Sequence, residues 1–292
     1  APESTVDVDF LLDAPAGKHG FLKVGKDGHF YFEDGTRARF WGINLVAEAA
    51  LQPKEIVDNL VNQLARAGFN LVRIHSIDNY WSVILGKNGT IIDYGRGDSR
   101  HLISSMLDRL DYLIYRLKEK GIYVYLDLLD SRQFQEGDGI PEASELKPAA
   151  KPASIFDRDL IELQKEYAEK ILTHVNKYTG LSYVDDPVIA LIETTNENSL
   201  FWNNWRDLPE YYKSELLELW NQWLLEKYGS REALEEAWTD MYGRSALKPY
   251  EDPKNGTVAL PDLTMWSMAW MRNWQQKDYT SLETSPARCN DA

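Results

Sequence analysis

The sequence has one cysteine, Cys289, close to its C-terminus, which excludes an internal disulfide and any cysteine-built zinc site. Histidine is also scarce. His19, His29, His101 and His174 share no metal-ligand spacing, so a zinc enzyme is not expected. No apolar run approaches the roughly 20 residues that span a bilayer, and no membrane partner is expected. Basic residues are in deficit: 32 Lys and Arg face 46 Asp and Glu, a formal net charge of -14. Nucleic acid is therefore not an expected partner, because no basic face can be assembled cheaply. There is no Gly-rich phosphate loop and no nucleophile elbow, so no cofactor is expected. The chain opens Ala1-Pro2-Glu3 without an initiating Met, as after removal of a signal peptide or tag, and a secreted protein is expected.

What is present is a core and many aromatics. Of 292 residues, 43% are hydrophobic, enough for one large domain or two small ones. There are 10 Trp and 16 Tyr; most of the Trp are expected to pack in the core, and any not needed there offer flat amphipathic rings that suit the CH faces of sugars. Short strands with turns at Lys26-Asp27-Gly28 and Asp34-Gly35 predict an N-terminal hairpin region over residues 1–38. Residues 39–205 then read as four strand–helix units. Their strands are Phe40 to Leu45, Phe69 to His75, Ile122 to Leu129 and Pro187 to Glu193. Helices are predicted from Pro53 to Gly68, Ile103 to Lys120 and Arg158 to Lys177. This alternation predicts an α/β fold of parallel (β/α) repeats with right-handed crossovers, like a TIM barrel, its strands apolar on both faces under covering helices. Residues 206–292 read as a helical extension, with helices over 211–228, 231–238 and 263–276. A fifth strand is missing, so the barrel is half or truncated.

Functional groups of such sheets collect where strands end. Here those ends carry Asn44, then Arg73, His75 and Asp78, then Asp127 and Asp130, then Asn196 and Glu197. Asn44 alone reads equally as a turn residue, and Asp130 as a cap. His75 suits a substrate contact, a metal ligand with Asp78, or a structural role. The fourth end, Glu193-Thr194-Thr195-Asn196-Glu197-Asn198, is the most specific: two acids and two amides follow an apolar strand. Glu193, Thr195 and Glu197 share a face unless a bulge intervenes. Trp202 and Trp205 follow directly and are candidate stacking platforms, whereas the helical spacing of Trp220, Trp223 and Trp238 suits the core.

At this point the sequence resembles the (β/α)8-barrel retaining glycoside hydrolases of clan A, cellulase-like family 5 group, over the N-terminal half of the barrel. Phe40-Trp41-Gly42-Ile43-Asn44 resembles the family's first strand and Asn70-Leu71-Val72-Arg73-Ile74-His75 its second. The third strand departs from many members, which end it in His where this chain has Leu129-Asp130. Asn196 and Glu197 match the family's fourth strand end residue for residue. The resemblance implies Glu197 as general acid/base and Asn196 bonding a sugar 2-hydroxyl. It also implies that Arg73 supports the catalytic carboxylates. Substrate contacts are expected of Arg73, His75, Asn44, Trp41, Asp78, Asp127 and Trp202 from their places on or near the strands.

The second carboxylate is missing. Retaining hydrolysis needs two carboxyls about 5–5.5 Å apart, and the resemblance implies a nucleophile on a seventh strand. Glu193 lies roughly 13 Å along the strand from Glu197, so one straight strand cannot supply both. Two open edges and an uncovered inner face predict that two chains pair as a homodimer of half-barrels. Two functions are expected from this reading. One is a hydrolase of β-linked polysaccharides or oligosaccharides, β-1,4-glucan or mannan. The other is a carbohydrate-binding protein without turnover, or an inactive hydrolase fragment lacking the nucleophile.

Overall fold

The computed structural model describes residues 7–200, 203, 205–239 and 242–261. Two compact units emerge, one of residues 1–149 and 162–196, the other of residues 150–161 and 197–292.

The first unit opens with strands β1 (Leu22–Val24) and β2 (Phe30–Phe32), the predicted antiparallel hairpin. Strand β3 (Gly42–Val46) and helix α1 (Lys54–Arg66) follow, then β4 (Leu71–His75) and a short helix α2 (Tyr80–Ile84). Helix α3 (Ser104–Glu119), β5 (Tyr123–Leu129), α4 (Arg158–Leu172) and β6 (Ile189–Thr195) complete it. The four long strands pair in parallel in the order β3-β4-β5-β6, so each crossover joins neighbours, as in a partial (β/α) barrel. Among the described residues, no helix is long and apolar enough to cross a membrane.

Two helical predictions needed adjustment. The segment with Tyr80 and Trp81, for which no helix is predicted, contains α2, because the Asn79 side chain accepts from the Ser82 N–H (3.1 Å) and caps its start. Helix α4 stops at Leu172, five residues before the predicted Lys177. Its sequel turns back onto Asp111 of α3, which takes His174 Nε2 at 3.0 Å, while Asn176 donates to the Asp111 carbonyl at 2.9 Å.

The sheet has two unlike faces, which corrects the expectation of apolarity on both. Leu45, Val72, Ile74, Val124, Leu126 and Leu128 are buried in one core with Val57, Val61, Leu113, Ile114 and Leu117 of α1 and α3. The alternate residues in the same register are Asn44, Arg73, Tyr125, Asp127 and Glu193. A period of 2 sends this second set to the opposite face. The two patterns merge in the sequence because apolar residues such as Tyr123 and Leu129 fill the polar set's outer positions.

The hairpin closes the N-terminal end of this sheet. Phe32 stacks on Tyr123, the first residue of β5, with ring centroids 5.0 Å apart, and Phe40 meets the same ring edge-on. The N-terminal segment is fixed to α3 by the Ala16 N–H bond to the Lys118 carbonyl, 2.9 Å.

In the second unit, α5 (Glu210–Tyr228) and α6 (Arg231–Ala237) pack through Leu216, Trp220, Leu224, Leu234 and Trp238. A buried Asn221 ties α5 to the chain beyond it: its amide exchanges two 3.0 Å bonds with the backbone of Val258. Trp220 and Trp238 are core, as predicted, but Trp223 is exposed. The predicted helix over 263–276 lies outside the described residues.

The turn between α3 and β5 provides a stability test. Gly121 has φ +77°, and a Cβ there would stand 2.8–2.9 Å from backbone atoms of Asp13 and Ala14. Gly121→Ala is expected to cost more than the roughly 1 kcal/mol of a strained left-handed alanine, because backbone cannot yield as a side chain can. Urea unfolding of the variant checks this; an unchanged midpoint contradicts the close packing.

Candidate active site

The polar face of the sheet carries a closed ring of side chains drawn from β4, β5 and β6. Arg73 is its hub. Its Nε and Nη2 donate to Glu193 Oε2 at 3.1 and 2.6 Å, and Nη2 also reaches Asp127 Oδ2 (3.2 Å) and Asn196 Oδ1 (2.9 Å). Asn196 Nδ2 donates to Asp130 Oδ1 at 2.6 Å. Asp130 Oδ2 faces His75 Nε2 at 3.6 Å, and His75 Nδ1 meets Asp127 Oδ2 at 2.5 Å, which returns the ring to Arg73. Tyr125 lies over the guanidinium, 5.4 Å from its carbon to the ring centroid, and donates to Glu193 Oε2 at 2.8 Å.

These contacts fix the Asn196 amide without ambiguity. Only its oxygen can accept from Arg73, and only its nitrogen can donate to a carboxylate. The nitrogen carries a second hydrogen, available to a ligand hydroxyl.

The two aspartates of the ring are driven apart in acidity. Burial, reinforced by the negative charges of Asp78, Glu193 and Asp130, pushes the Asp127 carboxyl up to about 8 against the pull of Arg73. Its side chain is 0% exposed, and its Oδ1 has no hydrogen-bond partner among the described residues. Asp130 is also buried, yet hydrogen bonds from Ser76, Ser131 and Asn196 and the nearby His75 hold it below the usual carboxylate range. Burial works against the Arg73 charge, but Glu193 and Asp127 hold its pKa above normal. One carboxyl kept neutral and one kept ionised, joined through an imidazole, is an arrangement able to move a proton.

Asn44, Arg73, His75, Asp127 and Asn196, all expected from the sequence, therefore share one face, with Asn44 exposed and beside Arg73 in register. Two expected residues fall elsewhere. Asp78 is buried and accepts the backbone N–H groups of Asp130, Ser131 and Arg132 at 2.8–3.1 Å. It orients the turn after β5 and has no surface for a substrate, a correction to its expected role. Trp41 precedes β3, at the N-terminal end of the sheet, where it stacks on Phe69 with 6.1 Å between centroids. It is thus at the end opposite His75, because the apolar run Phe40-Trp41 enters the strand and does not leave it. Trp202 lies outside the described residues, and Trp205, the other platform candidate, packs half-buried against the second unit's core.

Glu197 begins the second unit and is exposed. Its φ is +46°, a conformation that costs an L-residue roughly 1–2 kcal/mol. Ala47 after β3 and Ser76 after β4 turn through the same region, at φ +49° and +59°. Such strain gathers where strands deliver functional side chains. It also ends the alternation: β6 stops at Thr195, so Glu197 is not placed by the period that sets Glu193.

Tyr125 and the ring role of Asp130 were not selected from the sequence. The signal for Tyr125 was the alternation Tyr123-Tyr125-Asp127 on one strand. Asp130 stood among the strand-end groups but read equally as a cap, because its partner Asn196 is 66 residues away. His75, Asp127 and Asp130 can bring one donor atom each within 4.8 Å of one another, a set chemically able to hold a cation. Both ring nitrogens of His75 already face carboxylates, however, and Arg73 supplies positive charge beside Asp127.

Asp127 yields a pH prediction. Its folded pKa lies above its unfolded value of about 3.9, so its contribution to stability is complete below about pH 4 and is lost as pH rises through about 8. Asp127→Asn keeps the oxygen that accepts from Arg73 and His75 but cannot ionise. Thermal unfolding at pH 5 and pH 9 is expected to show a smaller loss of Tm in the variant; equal losses contradict the assignment.

No protein-family profile matches the chain. Among curated proteins it is 22% identical over 191 residues to mannan endo-1,4-beta-mannosidase 1 of Arabidopsis thaliana, covering 62% of this chain and 43% of that one. It is 24% identical over 203 residues to mannan endo-1,4-beta-mannosidase 1 of Oryza sativa subsp. japonica, with coverages of 63% and 42%. Among solved structures, an endo-1,4-beta-mannanase from Rhizomucor miehei is similar at 17% identity and a TM-score of 0.46, over 71% of this chain and 58% of that one. The chain spans less than half the length of these curated relatives. Over about three fifths of its length the chain is therefore similar in sequence to mannan endo-1,4-beta-mannosidases.

Proposed function

We propose that this chain belongs to a secreted glycoside hydrolase of β-linked polysaccharides, with Glu197 as general acid/base and Asn196 holding a sugar hydroxyl. Mannan is the preferred candidate substrate, since the curated relatives are named for mannan, and β-1,4-glucan is the second. The observation that carries the reading is the Asn196 amide, fixed between Arg73 and Asp130 one residue before a strained, exposed Glu197. A pre-set amide beside a carboxyl is what binding and protonating a glycosidic oxygen requires. Arg73, His75 and Asp127 support the amide, and Asn44 extends the same face toward β3.

A carbohydrate-binding protein without turnover is the second reading. It is favoured by the state of the other carboxyls: Glu193, Asp127 and Asp130 are all engaged with Arg73, His75 or Asn196. None of them stands ready as a nucleophile. On the hydrolase reading the second carboxylate arrives with the strands that close the sheet, contributed by a second copy of the chain in a homodimer.

Release of reducing ends from β-1,4-mannan and β-1,4-glucan separates the readings. Glu197→Gln is expected to lower kcat by about 10²–10⁴, while Lys165→Ala, an exposed change on α4, leaves it unaltered. Saturable mannan binding with no turnover in the wild-type protein selects the second reading; no binding and no turnover rejects both. Light scattering at micromolar concentration addresses the homodimer independently. A mass twice that of the chain is expected, and a stable monomer rejects that part of the proposal.

A further inference from the structure

Three described tryptophans expose a large part of their surface: Trp41, Trp81 and Trp223. Two of them are already engaged. Trp41 lies on Phe69 at an interplanar angle of 5°, and Trp223 carries Trp220 at 5.6 Å and the Lys227 ammonium at 4.6 Å. Trp81, 54% exposed, has no ring or cation stacked on it among the described residues. Its exposure follows from the way α2 is held. Asn79 caps the helix and donates to Ser76 Oγ at 3.3 Å. Tyr80 meets Tyr94 edge-on at 4.9 Å, and the buried Ser82 reaches Glu48 Oε2 at 3.5 Å. With Asn79, Tyr80 and Ser82 engaged with the protein, Trp81, Val83, Ile84 and Leu85 are left exposed. Apolar side chains kept together in water by an anchored helix mark a binding surface.

We propose that Trp81 is the stacking platform for a further sugar unit of a glycan whose neighbouring units meet the ring around Asn196. This rests on the glycan reading above and adds to it a preference for extended chains over short ones. Position supports it, because α2 begins at the edge of the ring. The Tyr80 N–H donates to the Ser131 carbonyl at 3.4 Å, one residue past Asp130, so the Cα atoms of Trp81 and Asp130 are at most about 15 Å apart. Chemistry selects the occupant. A pyranose offers a flat CH face to an indole and hydroxyls around it, and beside α2 stand Glu48 and Lys87, paired at 3.0 Å and both partly exposed. These are a donor and an acceptor for hydroxyls at the margin of an unstacked ring. A second copy of the chain fits less well, since the four exposed residues of α2 fall far short of the roughly 20–30 a side in a stable interface. The anchoring of α2 also lowers the cost of binding, because the ring is presented on a fixed helix and not on a free loop.

Calorimetric titration of the full chain with β-1,4-mannohexaose and β-1,4-mannobiose tests this. The wild type is expected to bind the hexaose more tightly than the biose. Trp81→Ala is expected to raise the hexaose Kd about fivefold or more, the loss of one stacking contact, and to leave the biose Kd unchanged. Trp81→Phe keeps a flat ring and should recover most of the affinity, whereas Trp223→Ala, at a ring already stacked, should bind as the wild type does. If the wild type binds neither sugar, the glycan reading fails and the platform with it. If the hexaose binds equally well to the wild type and to Trp81→Ala, the platform alone is overturned. An equal loss for both sugars, or no recovery in Trp81→Phe, marks the effect of Trp81 as structural and also overturns it. A mass that falls by half in Trp81→Ala, read by light scattering, assigns the exposed face of α2 to a second copy and overturns it equally.

Discussion

One guanidinium, that of Arg73, holds the polar face of the sheet in a single arrangement. It stands on the second of four parallel strands and bonds side chains from the third strand and from the end of the fourth. Remove its charge and three acidic groups, Asp127, Asp130 and Glu193, share a partly buried space. Carboxylates so placed cannot all remain ionised easily, and the pressure already shows with Arg73 present, in the raised pKa of Asp127. Arginine suits the position better than lysine because its planar fork serves several acceptors at once.

The ring matters more for orientation than for stability. Buried ionic networks repay their desolvation poorly, and an apolar set of equal volume would hold these strands at least as well. What an apolar set cannot do is choose between the two faces of an amide. Arg73 on one side and Asp130 on the other leave Asn196 a single orientation, one residue before Glu197. The strained backbone at Glu197 fits the same logic: the strand end is held against its local preference by bonds made up to 123 residues away.

How much of this was legible follows from the range of each interaction. Strands and helices obey local periods, so α1, α3, α5 and the strand order were readable, and so was the gathering of Asn44, Arg73, His75, Asp127 and Asn196 at strand ends. Helix α4 was overrun because its stop depends on Asp111, 63 residues before His174. Asp78 was misplaced for a related reason. An acid three residues after a strand looks the same in sequence whether it faces solvent or folds under the next turn, and only the amides of residues 130–132 distinguish the two. Trp41 misled in another way: the strand's polar end was identified, but an aromatic at its apolar beginning was counted with it.

The polar face also changes what an incomplete sheet demands. An uncovered apolar face would make association obligatory, since apolar surface of that extent is rarely left in water. Here the inner face carries Arg73, His75, Tyr125 and Glu193, groups that water or a sugar can solvate. The unmet demand lies at β6. Its outward residue Ile192, in register with the buried Leu126, is 42% exposed, and no further strand is hydrogen-bonded to its far edge among the described residues. In the proposed homodimer this edge is where a second copy adds a strand, and the polar cleft stays open. That arrangement leaves the ring around Asn196 accessible, in keeping with the glycan substrate proposed above.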